Sequence, residues 1–464
     1  MSSRRLPDKF VAMLDSMGLQ DLKSALETGE PCTSVRLNRR KGVSPEELSF
    51  EGSEIPWAKA GLYLDERPRF TFDPMFHQGC YYVQEASSMF HGYVVGQLTS
   101  GATAPLRVLD SCAAPGGKTT AAIDALPEGS LVVANEYVPA RAAVLRENVI
   151  KWSYPACVVT RGDTASFRRL KDTFDIIIAD VPCSGEGMMR KDDEAVSQWT
   201  PGLIRECVDR QWEIVGNIWQ ALKPGGCLIY STCTFNRNEN EEMIERIIDE
   251  YGAESVEIPV DPQWGIAGGI DTEARCYRFM PGRLRGEGLF VAVVRKPGEP
   301  RPDKTSVKKD KGGNNKKNVP ALQQAQGLLT DEARSQMEIY MEDDRISAFP
   351  RLHLDLLKKI KRETDVIHEG ISIGNVKGRD LIPSQSLALA AADIVDRNAF
   401  GQCEISRDEA LAYLTGEAVT LPESTPRGFV LLTFAGRPLG FVKNIGNRSN
   451  NLYPTPWRIK SKIN

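Results

Sequence analysis

The chain is short of histidine, has no closely spaced cysteine pair and contains no long apolar run, and each shortage excludes something. Its ten cysteines stand apart with no Cys-x-x-Cys, and His77, His91, His353 and His368 are the only histidines to join them, so the spacing offers no metal site. No apolar stretch reaches the roughly 18 residues of a membrane span. The opening MSSRRLPDKF shows no charged-then-apolar leader, which predicts a cytoplasmic protein whose cysteines stay reduced. Excess positive charge is missing too. A net charge of -4 and a pI near 5.8 exclude a wholly basic nucleic-acid coat, so any such contact must be a local patch.

Core-forming material is ample: 464 residues, 41% of them hydrophobic, suffice for two or three domains. From Arg107 to Lys296, short β-branched runs alternate with longer helical stretches, as parallel βαβ units require. Strands are predicted at Arg107 to Asp110, Leu131 to Asn135, Cys157 to Thr160, Phe174 to Asp180, Cys227 to Ser231 and Leu289 to Arg295. Helices are predicted at Thr119 to Leu126, Pro139 to Lys151, Leu203 to Leu222 and Asn238 to Tyr251. The fold class is α/β, a doubly wound, mostly parallel sheet whose ligands sit at the carboxyl ends of the strands. Val208, Trp212, Val215, Trp219 and Leu222 recur at steps of three and four and read as core packing, not as a base-stacking platform.

Residues 101–296 form this domain. Residues 1–100 precede it as an extension, with a helical opening from Asp8 to Glu27, a strand-like Ser34 to Asn38 and an aromatic run near Phe70. Pro297 to Pro320 is rich in Pro, Gly, Asn and Lys, cannot offset its ordering entropy by burial, and reads as a flexible basic linker. It is a solubilising tether, or a phosphate-attracting arm through Lys308, Lys309, Lys311, Lys316 and Lys317. Residues 321–464 form a separate accessory region with strand-like stretches at Phe429 to Phe434 and Gly440 to Lys443.

Cys112-Ala113-Ala114-Pro115-Gly116-Gly117-Lys118 follows a strand ending in Asp110 and precedes a helix, so its N–H groups and helix N-terminus face a polar or anionic ligand. Gly117-Lys118-Thr119 imitates the end of a phosphate-binding loop, but Cys112 stands where that motif needs its first glycine. Four acids follow the first four strands in order: Asp110, Glu136, Asp163 and Asp180. A carboxylate after the second strand suits a ribose diol, here that of S-adenosylmethionine rather than a nucleoside triphosphate. Taken singly, each acid also reads as a helix cap.

Two further cysteines follow strands at this ligand edge, Cys183 in Asp180-Val181-Pro182-Cys183 and Cys233 in Ser231-Thr232-Cys233-Thr234. Carbon 5 of cytosine is a poor nucleophile until a thiolate adds at carbon 6, so a methyl donor facing a thiol points to that chemistry. An isolated cysteine is otherwise inert core.

The runs DSCAAPGGKT, ADVPCSGEGMMRK and YSTCTFNRNENE resemble the Nop/Sun family of S-adenosylmethionine-dependent RNA cytosine-C5 methyltransferases. FTFDPMFHQGCYYVQEASSMF, with Gly440, Lys443, Asn451, Tyr453 and Pro454, resembles its bacterial ribosomal small-subunit methyltransferase F subgroup. The resemblance implies a Rossmann-like methyltransferase core and an α+β, PUA-like RNA-binding domain at the C-terminus. It implies Cys233 as nucleophile, Cys183 as the residue assisting release, and Asp180 as the contact to cytosine N3 and its amine. Cys112, Ala113, Ala114, Pro115, Gly116, Gly117, Lys118, Glu136, Asp163 and Asp180 match donor-binding positions. Lys118 and Arg141 are expected to neutralise the methionine carboxylate or an RNA phosphate, with a solvated helix face as the alternative for Arg141. Arg190 and Lys191 read as phosphate contacts or as surface charges. Gly282 departs from the family pattern, which has a histidine there in many relatives.

The expected state is a monomer acting on ribosomal RNA, free or within a small subunit, without membrane or metal. Transfer RNA as substrate and a non-catalytic RNA-binding assembly factor stay open. A DNA cytosine methyltransferase would use Cys183 as nucleophile, and the second motif at Cys233 opposes it. Asp180-Val181-Pro182-Cys183 lacks the aromatic run of an exocyclic-amine methyltransferase.

Overall fold

The computed structural model describes residues 5–299, 319–378 and 380–461. Residues 300–318, most of the expected basic linker with its five lysines, lie outside the described residues.

At the centre are β1 (Arg107–Asp110), α1 (Gly117–Ala125), β2 (Leu131–Glu136), α2 (Pro139–Trp152), β3 (Cys157–Arg161), β4 (Phe174–Asp180), α3 (Pro201–Trp219), β5 (Leu222–Thr232), α4 (Glu241–Tyr251), β6 (Glu254–Ser255), β7 (Cys276–Phe279), β8 (Leu289–Arg295) and β9 (Asp365–Glu369). The strands form one nine-stranded sheet in the order β6-β8-β5-β4-β1-β2-β3-β9, with β7 beside β8. Pairs within β5-β4-β1-β2-β3 are parallel, and β8 and β9 join antiparallel. All six residues of β2, and the first six of β8, are buried. Such uninterrupted burial is what a sheet covered on both faces requires. One face packs Val108, Ile176, Ile178 and Ile229 with Ala122, Leu145 and Val149. The other packs Leu109, Ile177 and Leu228 with Val215, Ile218, Trp219 and Ile244.

Each predicted strand and helix of this core is present; the strands Arg107–Asp110, Phe174–Asp180 and Leu289–Arg295 match end to end, and the other elements shift their ends. Leu222 begins β5 instead of ending α3, and α4 starts after Asn240. The stripe of α3 packs as expected: Val215 and Trp219 are buried, and Trp212 stacks on Tyr251. The opening helix is two, Asp8–Ser16 and Gln20–Thr28, because Gly18 at φ +70° breaks the run. Strand β9 comes from beyond residue 320 and completes the sheet edge at β3, a long-range pairing that local periodicity does not carry.

The segments before and after the core clasp one another. Thr33–Leu37, Gly52–Ile55, Ala58–Leu64 and Tyr81–Val83 form a four-stranded sheet, and a C-terminal sheet joins Gly401–Glu404, Gly428–Phe434, Arg437–Asn444 and Ser449–Asn451. Gln78 Nε2 donates to the carbonyls of Phe434 (2.9 Å) and Arg437 (2.7 Å). His77 Nε2 lies 2.9 Å from the Thr71 carbonyl and Nδ1 lies 3.0 Å from the Tyr453 hydroxyl. A carbonyl only accepts, so Nε2 carries the proton and Nδ1 accepts from Tyr453.

Burial, helped by Lys151, pushes His77 down to about 3, so the folded state holds it neutral while the unfolded chain protonates it below about 6.5. The unfolded state then binds more protons, and stability falls as pH drops below that value. Between pH 7 and 5.5, this histidine should account for roughly 1 kcal/mol of lost stability. Urea unfolding of wild type and His77→Gln at both pH values reads the difference directly; equal pH responses would remove the assignment.

Candidate active site

Strand β1 delivers the chain into the glycine turn at the switch point between β1 and β4, where connections diverge to opposite sides. Gly116 sits at φ +109° and opens α1. Asp110 is fully buried, its Oδ2 accepting from Thr119 Oγ1 at 2.6 Å, so it ties turn to helix. Burial pushes its carboxyl up to about 7.

A cavity of about 360 Å³ opens at the carboxyl ends of β1 and β2. Of the predicted residues, Cys112, Glu136, Arg141 and Asp163 line it, joined by Tyr137, Val138, Pro182 and, from α3, Arg210, Glu213, Ile214 and Asn217. Glu136 is buried and accepts from the Val138 N–H at 2.9 Å. Arg141 lies 3.6 Å from Glu136 and donates to the Ala114 carbonyl at 2.9 Å, pinning the turn. Exposed Asp163 caps the Ala165 N–H at 2.8 Å. Burial raises the Cys112 thiol to about 12, so it stays neutral.

These residues fit S-adenosylmethionine: a buried carboxylate for a ribose diol, apolar walls for a purine, and the buried Asn217 Oδ1, which has no hydrogen-bond partner among the described residues. Glu136→Gln is expected to weaken S-adenosylmethionine binding about tenfold, the worth of one charge-assisted hydrogen bond. Calorimetric titration checks it, and unchanged affinity would take Glu136 out of the donor site.

Ala113, Ala114, Pro115, Gly116 and Gly117 shape the turn without lining that cavity. Lys118 turns away from it, its ammonium 2.7 Å from Asp180 Oδ2. Burial works against the Lys118 charge, but the Asp180 carboxylate outweighs it and raises its pKa. For Asp180, burial is likewise outweighed, by Lys118 with help from His91 and Ser231, and the carboxylate stays ionised. Asp180 Oδ1 accepts from Ser231 Oγ at 2.8 Å, and Ser231 Oγ lies 2.9 Å from His91 Nε2. Burial pushes His91 down to about 3.

The two candidate thiols meet here. Cys183 Sγ, just past β4, and Cys233 Sγ, just past β5, are 3.3 Å apart, unbonded and partly exposed. The Cys183 thiol is pushed well above its ordinary value, first by its contact with Cys233 and then by burial.

Buried carboxylates hold the two loops in register. Glu186 Oε2 accepts from the N–H groups of Phe235 (2.7 Å) and Asn236 (2.9 Å). Its Oε1 accepts from Trp199 Nε1 (2.9 Å) and Asn236 Nδ2 (3.0 Å). Glu239 accepts from the Ser184 N–H (3.0 Å), Gln211 Nε2 (2.7 Å) and Asn236 Nδ2 (2.7 Å). A Cβ at Gly187 would meet the Cys233 carbonyl oxygen at 2.7 Å, so glycine is required where the loops touch.

Arg190 corrects the sequence reading. It is buried and pairs with Glu287 at 2.7 Å, so it is neither a phosphate contact nor a surface charge; Lys191 lies 3.0 Å from the same carboxylate. Sequence reasoning also missed His91, Ser231, Glu186, Glu239 and the cavity face of α3. Only the last left a local signal: Arg210, Glu213 and Asn217 are polar at steps of three and four beside the apolar stripe.

The described residues 103–295 match the family described as 16S rRNA methyltransferase RsmB/F. Residues 6–86 match the N-terminal domain of 16S rRNA methyltransferase RsmF, and 401–459 the methyltransferase RsmF PUA domain. The ribosomal RNA small subunit methyltransferase F of Cronobacter sakazakii is 32% identical over 483 aligned positions, covering 97% of this chain and 95% of that protein. The chain belongs to this family. The same-named proteins of Serratia proteamaculans (33% identity, 86% and 83% coverage) and Escherichia coli O81 (31%, 97% and 95%) agree. Among solved structures, NSun6 from Pyrococcus horikoshii with SFG matches at a TM-score of 0.54 and 18% identity, covering 64% of this chain and all of that one, which supports the fold alone. In family terms, the cavity and the cysteine pair lie on the matched methyltransferase segment, and the partner of Gln78 and His77 is the matched PUA segment.

Proposed function

We propose that this chain transfers methyl from S-adenosylmethionine to carbon 5 of cytosine in small-subunit ribosomal RNA, with Cys233 as nucleophile and Cys183 as the group that completes release. The observation that carries this reading is the 3.3 Å approach of the two sulfurs beside both the donor cavity and Asp180. S-adenosylmethionine, when bound, supplies an electrophilic methyl group. Cys233 adds to carbon 6, which makes carbon 5 nucleophilic. Asp180, kept ionised by Lys118, accepts from the exocyclic amine and, once N3 has taken a proton from solvent as the thiolate adds, from the N3–H as well. After methylation the carbon 5 proton leaves to a base, the carbon 6–sulfur bond breaks and the ring double bond returns; in this reading Cys183 is that base. The cytosine must leave its stack to reach this edge, which costs a few kcal/mol and favours unpaired RNA.

In this reading, residues 1–100 and the region 321–464 supply RNA affinity to the methyltransferase domain 101–296, whose sheet takes its edge strand β9 from within 321–464, with 297–320 as linker. The enzyme works as a cytoplasmic monomer without a metal. Among the described residues no helix is long and apolar enough to cross a membrane. The test is incubation with labelled S-adenosylmethionine and either small subunits or naked ribosomal RNA, followed by nucleoside analysis. 5-Methylcytidine is expected; label on any other atom would overturn the reading.

A further inference from the structure

Away from the cysteines, a cavity of about 500 Å³ lies between the loop after Thr33–Leu37 and the C-terminal segment. Arg40, Lys41, Arg397 and Arg437 line it, against a single carboxylate, Glu47. That carboxylate is already engaged, 2.6 Å from Arg437. Three cations are left facing one another. Arg40 lies over the Tyr154 ring at 4.7 Å, a contact that leaves the guanidinium edge for another partner. Lys41 donates to the Leu389 carbonyl, and burial together with nearby Arg397 pushes its ammonium down to about 8. Arg397 makes no side-chain hydrogen bond or ion pair among the described residues, and its Nε is buried without a partner.

Converging cations without counter-charge destabilise a fold, and an anion entering the space relieves the repulsion. Two guanidinium forks and an ammonium match phosphate oxygens, which accept several donors at once. We infer that this crevice is a phosphate-binding site that takes the backbone of the substrate RNA. The inference rests on the RNA-methyltransferase reading. RNA is favoured over a small anion because the walls come from the two segments flanking the methyltransferase core, so one bound strand bridges them. The contacts are to phosphate and carry no base preference, so the site sets affinity and register, not the choice of cytosine.

The experiment compares wild type with Arg40→Gln/Arg397→Gln, neither residue being part of the donor cavity or the cysteine pair. Binding of a ribosomal RNA fragment is measured across salt concentrations by fluorescence anisotropy, and methyl transfer is measured separately. Expected are a Kd raised about tenfold near physiological salt, a salt slope shallower by about 1.4 for two lost single-strand contacts, and kcat at saturating RNA within about twofold of wild type. Arg40→Lys/Arg397→Lys should recover most of the binding. An equal Kd and slope in the Gln variant, at unchanged melting temperature, overturns the site. Inorganic phosphate that binds wild type but not the Gln variant, with RNA affinity equal in both, assigns the crevice to a free anion and also overturns it. Failure of the functional reading looks different: wild type would form no 5-methylcytidine, whatever the RNA affinities.

Discussion

Cys233→Ala is expected to lose methyl transfer by at least about 10⁴-fold, since on the proposed assignment its sulfur makes the covalent bond that activates carbon 5. Cys183→Ala is expected to behave differently: methyl transfers once, and protein linked to RNA accumulates on denaturing gels. The geometry explains the asymmetry. With both sulfurs free, the first influence raising the Cys183 thiol is its neighbour Cys233, and burial adds to it. Once Cys233 is bonded to carbon 6 its sulfur is a poorer acceptor for the Cys183 S–H, so the hydrogen bond that holds the Cys183 proton weakens and Cys183 ionises more readily at the step that needs a base. On the proposed assignment, Cys183 waits protonated while Cys233 attacks and becomes competent afterwards. Burst kinetics and gel-shifted adducts read this out. Full activity of Cys233→Ala, or an adduct forming in it, would falsify the assignment.

Glu186→Gln should cost about 3 kcal/mol of stability, and activity should fall with it. Both oxygens of this fully buried carboxylate accept two hydrogen bonds each. An amide can offer only one oxygen, and its NH₂ would then face two donors, leaving buried groups unpaired at about 1–3 kcal/mol each. Those donors include the backbone of Phe235 and Asn236, which fix the exit of the Cys233 loop, while Glu186 itself belongs to the Cys183 loop. The sulfur separation of 3.3 Å depends on that clamp. A lowered melting temperature with reduced kcat and little change in S-adenosylmethionine affinity is the expected pattern. A variant as stable and active as wild type would show that Glu186 does not hold the loops.

Much of the core was legible because a sheet buried on both faces leaves uninterrupted β-branched runs, and because its ligand edge is where those runs end. That logic placed Cys112, Glu136, Asp163, Asp180, Cys183 and Cys233 at strand ends without coordinates. The division of labour among them was not legible. Glu136 and Asp163 face one cavity while Asp180 is turned toward Lys118 and Ser231. Arg190 carries the same local signature as a surface cation, yet tertiary packing inserts it against Glu287.

By itself the sequence determined six strands and four helices of the core in chain order, the turn that opens α1, and which residue types stand at the sheet's carboxyl edge. These follow from neighbours a few positions apart, where periodicity and turn chemistry act. Only the tertiary structure brought Cys183 to Cys233 across 50 positions and His91 to Ser231 across 140, and set Gln78 against Phe434 across 356. Such contacts depend on how separate elements pack and bury one another's polar groups, and no local pattern records that choice.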